Sequence, residues 1–251
     1  MAGHSKWANI KHRKAAQDKK RAKVWTRIIK EITIAARDSG PDLDSNPALR
    51  LAVQNGKGAN LPKDTIERAI KKGSGAEAAN LQTVTYEGYG LHGIAIFVEA
   101  TTDNINRTVA AVRSIFTKNG GSLGTNGSLS FLFDTKGVFT IENIVLEGKD
   151  KDELELEFID GGAEEVEQDE ELTTLYTSFD DYGTMQNKLA ELSIDSKSTE
   201  IQQIPKSTTA LSVEQAQDVL KILDKFEEDD DVQAVYHNLE LTEELLSKLE
   251  E

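Results

Sequence analysis

The spacing of apolar side chains changes once along this chain, and that change constrains the fold more than any other feature. Between residues 18 and 36 there is no Gly or Pro, and Val24, Ile28, Ile32 and Ala35 recur at helical intervals. They form one apolar stripe. Gly40-Pro41 ends that helix with a permissive residue and then a breaker. Asn46-Pro47 opens a second helix, because Asn accepts a free amide and Pro suits the first helical position; Leu49, Ala52 and Val53 are its apolar face. Pro62 starts a third, with Ile66, Ala69 and Ile70 inward and Gly73 as its stop. Residues 1–75 therefore read as a three-helix domain, followed by a Gly- and Ala-rich link over 73–81.

Beyond the link the pattern is that of strands. Thr83-Val84-Thr85-Tyr86 and Ile94-Ala95-Ile96-Phe97-Val98 flank a Gly-rich turn as in a hairpin. Asp103 is placed to cap a helix lined by Ile105, Val109, Val112 and Phe116; Gly120-Gly121 closes it, and residues 129–133 read as a further strand. A second unit follows: a strand over 138–141, a helix over 151–159 whose alternating Leu154, Leu156 and Phe158 leave a strand open, paired strands over 164–167 and 172–179, a helix over 182–192 and a strand over 199–204. That β-α-β-β-α-β order is the ferredoxin-like arrangement. Ser212 and Gln215 form a capping-box pair before a helix with Val213, Ala216, Val219, Leu220, Leu223 and Phe226 inward, and a strand spans 232–239. This last pair completes the earlier unit. The fold class is thus α+β: an N-terminal three-helix domain (1–75), an α+β domain of two pieces (80–134 plus 207–251), and a ferredoxin-like α+β domain inserted in it (135–206).

Charge follows the same division. The net charge is −15, yet residues 1–80 carry 17 basic and 8 acidic side chains, and residues 1–37 carry 11 and 2. A basic head on an acidic body points to a nucleic-acid or membrane partner. The basic segment holds Lys6, Trp7, Lys11, His12, Arg13, Lys14, Lys19, Lys20, Arg21 and Lys23. Its cations suit phosphate neutralisation with counterion release, and Trp7 suits stacking on an unpaired base. Trp25 falls on the apolar helix and is expected in the core. Residues 8–23 offer chiefly Ala and Ile10 as apolar side chains, too little for a membrane-surface helix. A second cluster, Lys63, Arg68, Lys71 and Lys72, with Lys57 nearby, lies on or before the third helix; it suits phosphate contact and equally the helix dipole. Gln54, Asn55 and Asn60 are candidate base readers. Arg107 and Arg113 lie off the apolar stripe and are expected on the surface.

Enzyme chemistry finds little footing. Cysteine is absent, which excludes disulfides, thiolate nucleophiles and thiolate-held metals. The histidines, His4, His12, His92 and His237, form no metal-binding or nucleophile motif. The Gly-rich stretches lack the order of phosphate loops, and the acidic runs lack that of a calcium loop. Those acids read as a solvated face that confines nucleic acid to the head. No catalytic residue, metal or cofactor is assigned. The longest apolar run, residues 94–98, is far too short to span a membrane.

The residues themselves are similar to those of a known family. Ala2-Gly3-His4-Ser5-Lys6-Trp7-Ala8-Asn9-Ile10-Lys11-His12-Arg13-Lys14 resembles the opening signature of the YebC/PmpR family, which includes the mitochondrial translational activator of cytochrome oxidase subunit one. Residues 60–73, Tyr86-Glu87-Gly88-Tyr89-Gly90, Thr102-Asp103-Asn104-Ile105-Asn106-Arg107-Thr108, residues 116–127 and Val235-Tyr236-His237-Asn238 resemble it further. Leu91-His92 departs from the Pro-Gly expected there. The resemblance implies three domains with the third inserted in the second, and a non-enzymatic, cytoplasmic regulator of gene expression. Such a protein is either a DNA-binding transcriptional regulator or a ribosome-associated factor that binds ribosomal RNA or tRNA and assists translation of difficult proline-rich stretches. A signature opening at residue 2 suits a bacterial protein.

Overall fold

A computed structural model describes residues 18–75, 80–242 and 244–245. Among these, three helices come first: α1 (Asp18–Ser39), α2 (Pro47–Gly58) and α3 (Lys63–Gly73). The expected stripe is the core: Ile28, Ile32 and Ala35 of α1 close on Leu49, Ala52 and Val53 of α2 and on Ile66 and Ala69 of α3. The Asn46 side chain accepts the Leu49 amide at 2.9 Å and donates to the carbonyls of Ala35 and Gly40, tying the end of α1 to the start of α2. A methyl group on Gly73 would lie 2.4 Å from the Thr33 carbonyl, so glycine is what lets α3 end against α1.

Two four-stranded antiparallel sheets follow. The first is built from β1 (Gln82–Tyr89), β2 (Ala95–Thr102), β3 (Ser122–Leu123) and β8 (Val232–His237), in the order β3-β1-β2-β8. Helices α4 (Ile105–Lys118) and α8 (Val213–Glu227) cover one face. There Phe116 meets Phe226 at 4.7 Å between ring centres, above Ile94, Ile96 and Val98. The second sheet has β4 (Phe133–Glu142), β5 (Ala163–Gln168), β6 (Leu172–Ser178) and β7 (Ser198–Pro205), in the order β5-β6-β4-β7. The short α5 (Asn143–Leu146) with α6 (Lys151–Asp160) joins β4 to β5, and α7 (Tyr182–Glu191) joins β6 to β7. Phe139, Leu175, Phe158 and Met185 fill the core between sheet and helices. The chain leaves the first sheet after β3, makes the whole second sheet, and returns through α8 to place β8 beside β2. Residues 151–159, open between helix and strand, lie in helix α6 with Leu154 and Phe158 buried and Leu156 out.

Two local expectations are corrected. Residues 129–132 form turns rather than a strand. The buried Glu87 carboxylate accepts the amides of Gly127 at 2.7 Å and Leu129 at 2.5 Å, which folds this stretch down so that Leu129 packs on Ala95 and Phe97. The cap of α4 is Asn104, whose side chain accepts the Arg107 amide, because Asp103 is paired with the Arg107 guanidinium at 3.0 Å. Arg107 itself is exposed, as expected, and is ion-paired with Asp231 at 2.7 Å. At the Leu91-His92 departure the chain makes a single tight turn with His92 at φ 58°, a conformation more natural to glycine.

Candidate nucleic-acid interface

Of the residues expected to meet nucleic acid, Lys6, Trp7, Lys11, His12, Arg13 and Lys14 lie outside the described residues. Lys19, Lys20 and Arg21 fall in the first turns of α1, with their side chains outside the description. Among the described side chains, the open positive charge of this head is therefore carried chiefly by α3.

Helix α3 presents Lys63, Arg68, Lys71 and Lys72 to solvent, opposite its buried Ile66 and Ala69. Lys63 lies 3.8 Å from Glu67 one turn on. The Arg68 guanidinium donates to the Asp64 carbonyl and the Thr65 hydroxyl, which holds it along the helix. Arg68 and Lys71 line a shallow hollow with Asp64 and Glu67, and a neighbouring one with Lys72 and Gly75. Three cations thus gather at the last turns of α3, where the helix dipole favours them and water reaches them. The arrangement suits phosphate oxygens and has the shape of an open ledge rather than a pocket.

The remaining basic residues of α1 are engaged inside the molecule. Burial and the Arg27 guanidinium push the Lys23 ammonium down, against the pull of Asp230, Glu228 and Asp229. Arg27 Nη2 donates to the Glu227 carbonyl at 3.4 Å. Lys30 Nζ donates to the carbonyls of Thr101 at 2.9 Å and Asp230 at 2.6 Å, and pairs with Asp231 at 3.4 Å. Lys23, counted with the open cations from sequence, is half-buried against the acidic turn that precedes β8.

Two of the candidate base readers, Gln54 and Asn55, are corrected, while Asn60 remains an exposed candidate. The Asn55 side chain donates to the Thr199 carbonyl at 2.9 Å and accepts its amide at 3.1 Å; Gln54 donates to the Ser196 hydroxyl at 3.1 Å. Both dock α2 on β7. Asn60 sits between α2 and α3 at φ 55°, as a turn residue. Trp25 packs on the helical core as expected, its indole donating to the Ala59 carbonyl at 3.0 Å.

Sequence reading missed Asp231. Its buried carboxylate accepts from Arg107, from Thr108 at 2.8 Å and from Thr102 at 3.2 Å, besides Lys30. Burial pushes this carboxyl up, but the hydrogen bonds from Arg107 and Thr108 and the Lys30 charge outweigh it and hold it below its ordinary range. Within an acidic run no local pattern marks one carboxylate as the hub; its partners come from α1, β2 and α4. Among the described residues, no three His, Asp or Glu side chains gather to hold a metal ion, and no helix is long and apolar enough to cross a membrane.

Comparison with known proteins covers nearly the whole chain. A family model described as the TACO1/YebC N-terminal domain matches residues 5–76, and one described as the TACO1/YebC second and third domain matches residues 81–239. A "probable transcriptional regulatory protein" of Amoebophilus asiaticus is 51% identical over 95% of this chain and 98% of its own. One of Syntrophotalea carbinolica is 47% identical over 99% of each. A crystal structure of a conserved hypothetical protein from Aquifex aeolicus superposes with a TM-score of 0.81 at 41% identity, covering 91% of this chain and 94% of that one.

Proposed function

This chain belongs to the TACO1/YebC family, and we propose that it is a non-enzymatic, nucleic-acid-binding regulator of gene expression that grips polyphosphate with its N-terminal helical domain. The observation that carries this reading is the gathering of basic residues in one domain: 11 against 2 acidic over residues 1–37, continued by Arg68, Lys71 and Lys72 exposed at the end of α3. Lys6, Lys11, His12, Arg13, Lys14, Lys19, Lys20 and Arg21 are the expected phosphate contacts, with Trp7 stacking on an unpaired base. Lys23 is a contact only where the acidic turn releases it. The names of the relatives speak of transcriptional regulation, and on that ground we put DNA first; a ribosome-associated role on ribosomal RNA or tRNA uses the same cations and is the second reading. We place the protein in the cytoplasm, without catalytic residue or cofactor, and take the domain bounds as 1–75, 80–134 plus 207–251, and 135–206. The strand order β5-β6-β4-β7 around two helical crossovers supports a ferredoxin-like reading of the inserted domain.

Changing Lys11, Arg13, Lys14, Lys19 and Lys20 together to Gln is expected to abolish binding to labelled DNA duplex and to structured RNA while the unfolding midpoint stays in place. For every phosphate that the variant no longer neutralises, the salt dependence on duplex should flatten by about 0.9 in the log–log slope. Equal affinity and slope for wild type and variant would refute the proposal. Co-sedimentation with ribosomes at physiological salt, abolished in the same variant, would select the RNA reading over DNA.

A further inference from the structure

Lys23, Arg27 and Lys30 follow one another at helical spacing, on one face of α1. That face looks onto the turn between α8 and β8, where residues 227–231 are five consecutive acids. Lys30 is fixed there by the carbonyls of Asp230 and Thr101 and by Asp231. Arg27 reaches the Glu227 carbonyl, and Lys23 stands in the field of Asp230, Glu228 and Asp229. The turn is itself anchored: the Asp229 carboxylate accepts the Asp231 amide at 2.9 Å, and Asp231 is held by Arg107, Thr102 and Thr108. Glu228 and Asp230, by contrast, are exposed.

We infer that the 227–231 turn is an autoinhibitory contact, a tethered polyanion that competes with nucleic acid for Lys23 at the root of the basic segment. Like charge near a binding surface repels phosphate across the screening length, so weakly held nucleic acid is turned away, while a ligand that also engages α3 and the residues before α1 outcompetes the turn. The inference rests on the proposed function and adds its regulation.

The test uses the full chain carrying Glu228→Gln and Asp230→Asn, which leaves the anchors Asp229 and Asp231 intact. A control carries Glu153→Gln and Glu170→Gln, the same change of charge at exposed positions of the second sheet's domain. Fluorescence anisotropy with labelled duplex and labelled structured RNA is followed across a salt titration. The turn variant is expected to bind about fivefold tighter than wild type at low salt, and the control by less than about twofold, since nearby charges interact far more strongly than distant ones. Its log–log salt slope on duplex should steepen by about 1 as the freed Lys23 takes a phosphate. A turn variant that binds no tighter than the control overturns the inference and leaves the functional reading standing. Failure of all three proteins to bind either probe overturns both. Should the double variant unfold, Glu228→Gln alone is read the same way against Glu153→Gln.

Discussion

At the scale of single residues, the decisive side chains are buried carboxylates that gather donors from afar. Glu87 sits on β1 at 4% exposure and takes two backbone amides of residues 127–129, shaping into a loop a stretch whose sequence reads as a strand. Truncation to Ala leaves both amides without their acceptor. We expect Glu87→Ala to destabilise the protein by about 2–4 kcal/mol in urea denaturation, since each bond to a charged acceptor contributes more than a neutral one; a change below about 1 kcal/mol would show that the loop holds itself. Neither Glu87 nor Asp231 can be singled out from sequence. Glu87 lies in an ordinary-looking strand and Asp231 in an acidic run, and their partners are 40 or more positions away. Local caps are different. Asn46 and the Ser212–Gln215 pair act within three residues, and both do what their spacing predicts.

At the scale of elements, α2 decides how the helical domain meets the rest. Its last turns present Gln54 and Asn55 to the turn and strand around β7, and Gly58 lets them approach: a methyl group there would lie 2.7 Å from the Lys197 carbonyl. Because that neighbour is backbone, it cannot swing aside as a side chain would. Gly58→Ala is expected to cost about 1–3 kcal/mol by overpacking and to speed amide exchange at Thr199, whose N–H loses its acceptor on Asn55. Unchanged protection at Thr199 would mean that α2 does not set this contact. Helix periodicity places the apolar faces of α1, α2 and α3 correctly because each faces one core. The polar face of α2 reads in sequence as free for bases, since no pattern within a helix reveals that another domain lies against it.

At the scale of the whole molecule, the helical unit and the two sheet units meet where like charges face each other. Glu31 on α1, Glu99 on β2 and Glu200 on β7 come from different units, with Arg27, Tyr236 and Tyr182 around them. Burial, and then the Glu200 charge, push Glu99 up to about 7. Glu31 stays open to water, whereas Glu99 is half-buried, so Glu99 is the informative position. A carboxyl raised in the folded state favours folding while it is protonated. That contribution is full below the ordinary carboxylate range and is lost as pH rises through about 7. We expect the unfolding midpoint of wild type to fall between pH 5 and pH 8 more than that of Glu99→Gln; parallel curves would remove this junction from the pH dependence. By itself, the sequence determined most of the helices and strands, the inward faces of the helices, the caps at Asn46 and Ser212 and the concentration of positive charge in the head, because each of these depends on residues near one another in the chain. Only the tertiary structure decided which of those charges remain open. Lys71 and Lys72 stay in water, while Lys30 is held by groups as far away as Asp231, because Coulomb fields and hydrogen bonds act through space and the chain brings distant acids onto α1.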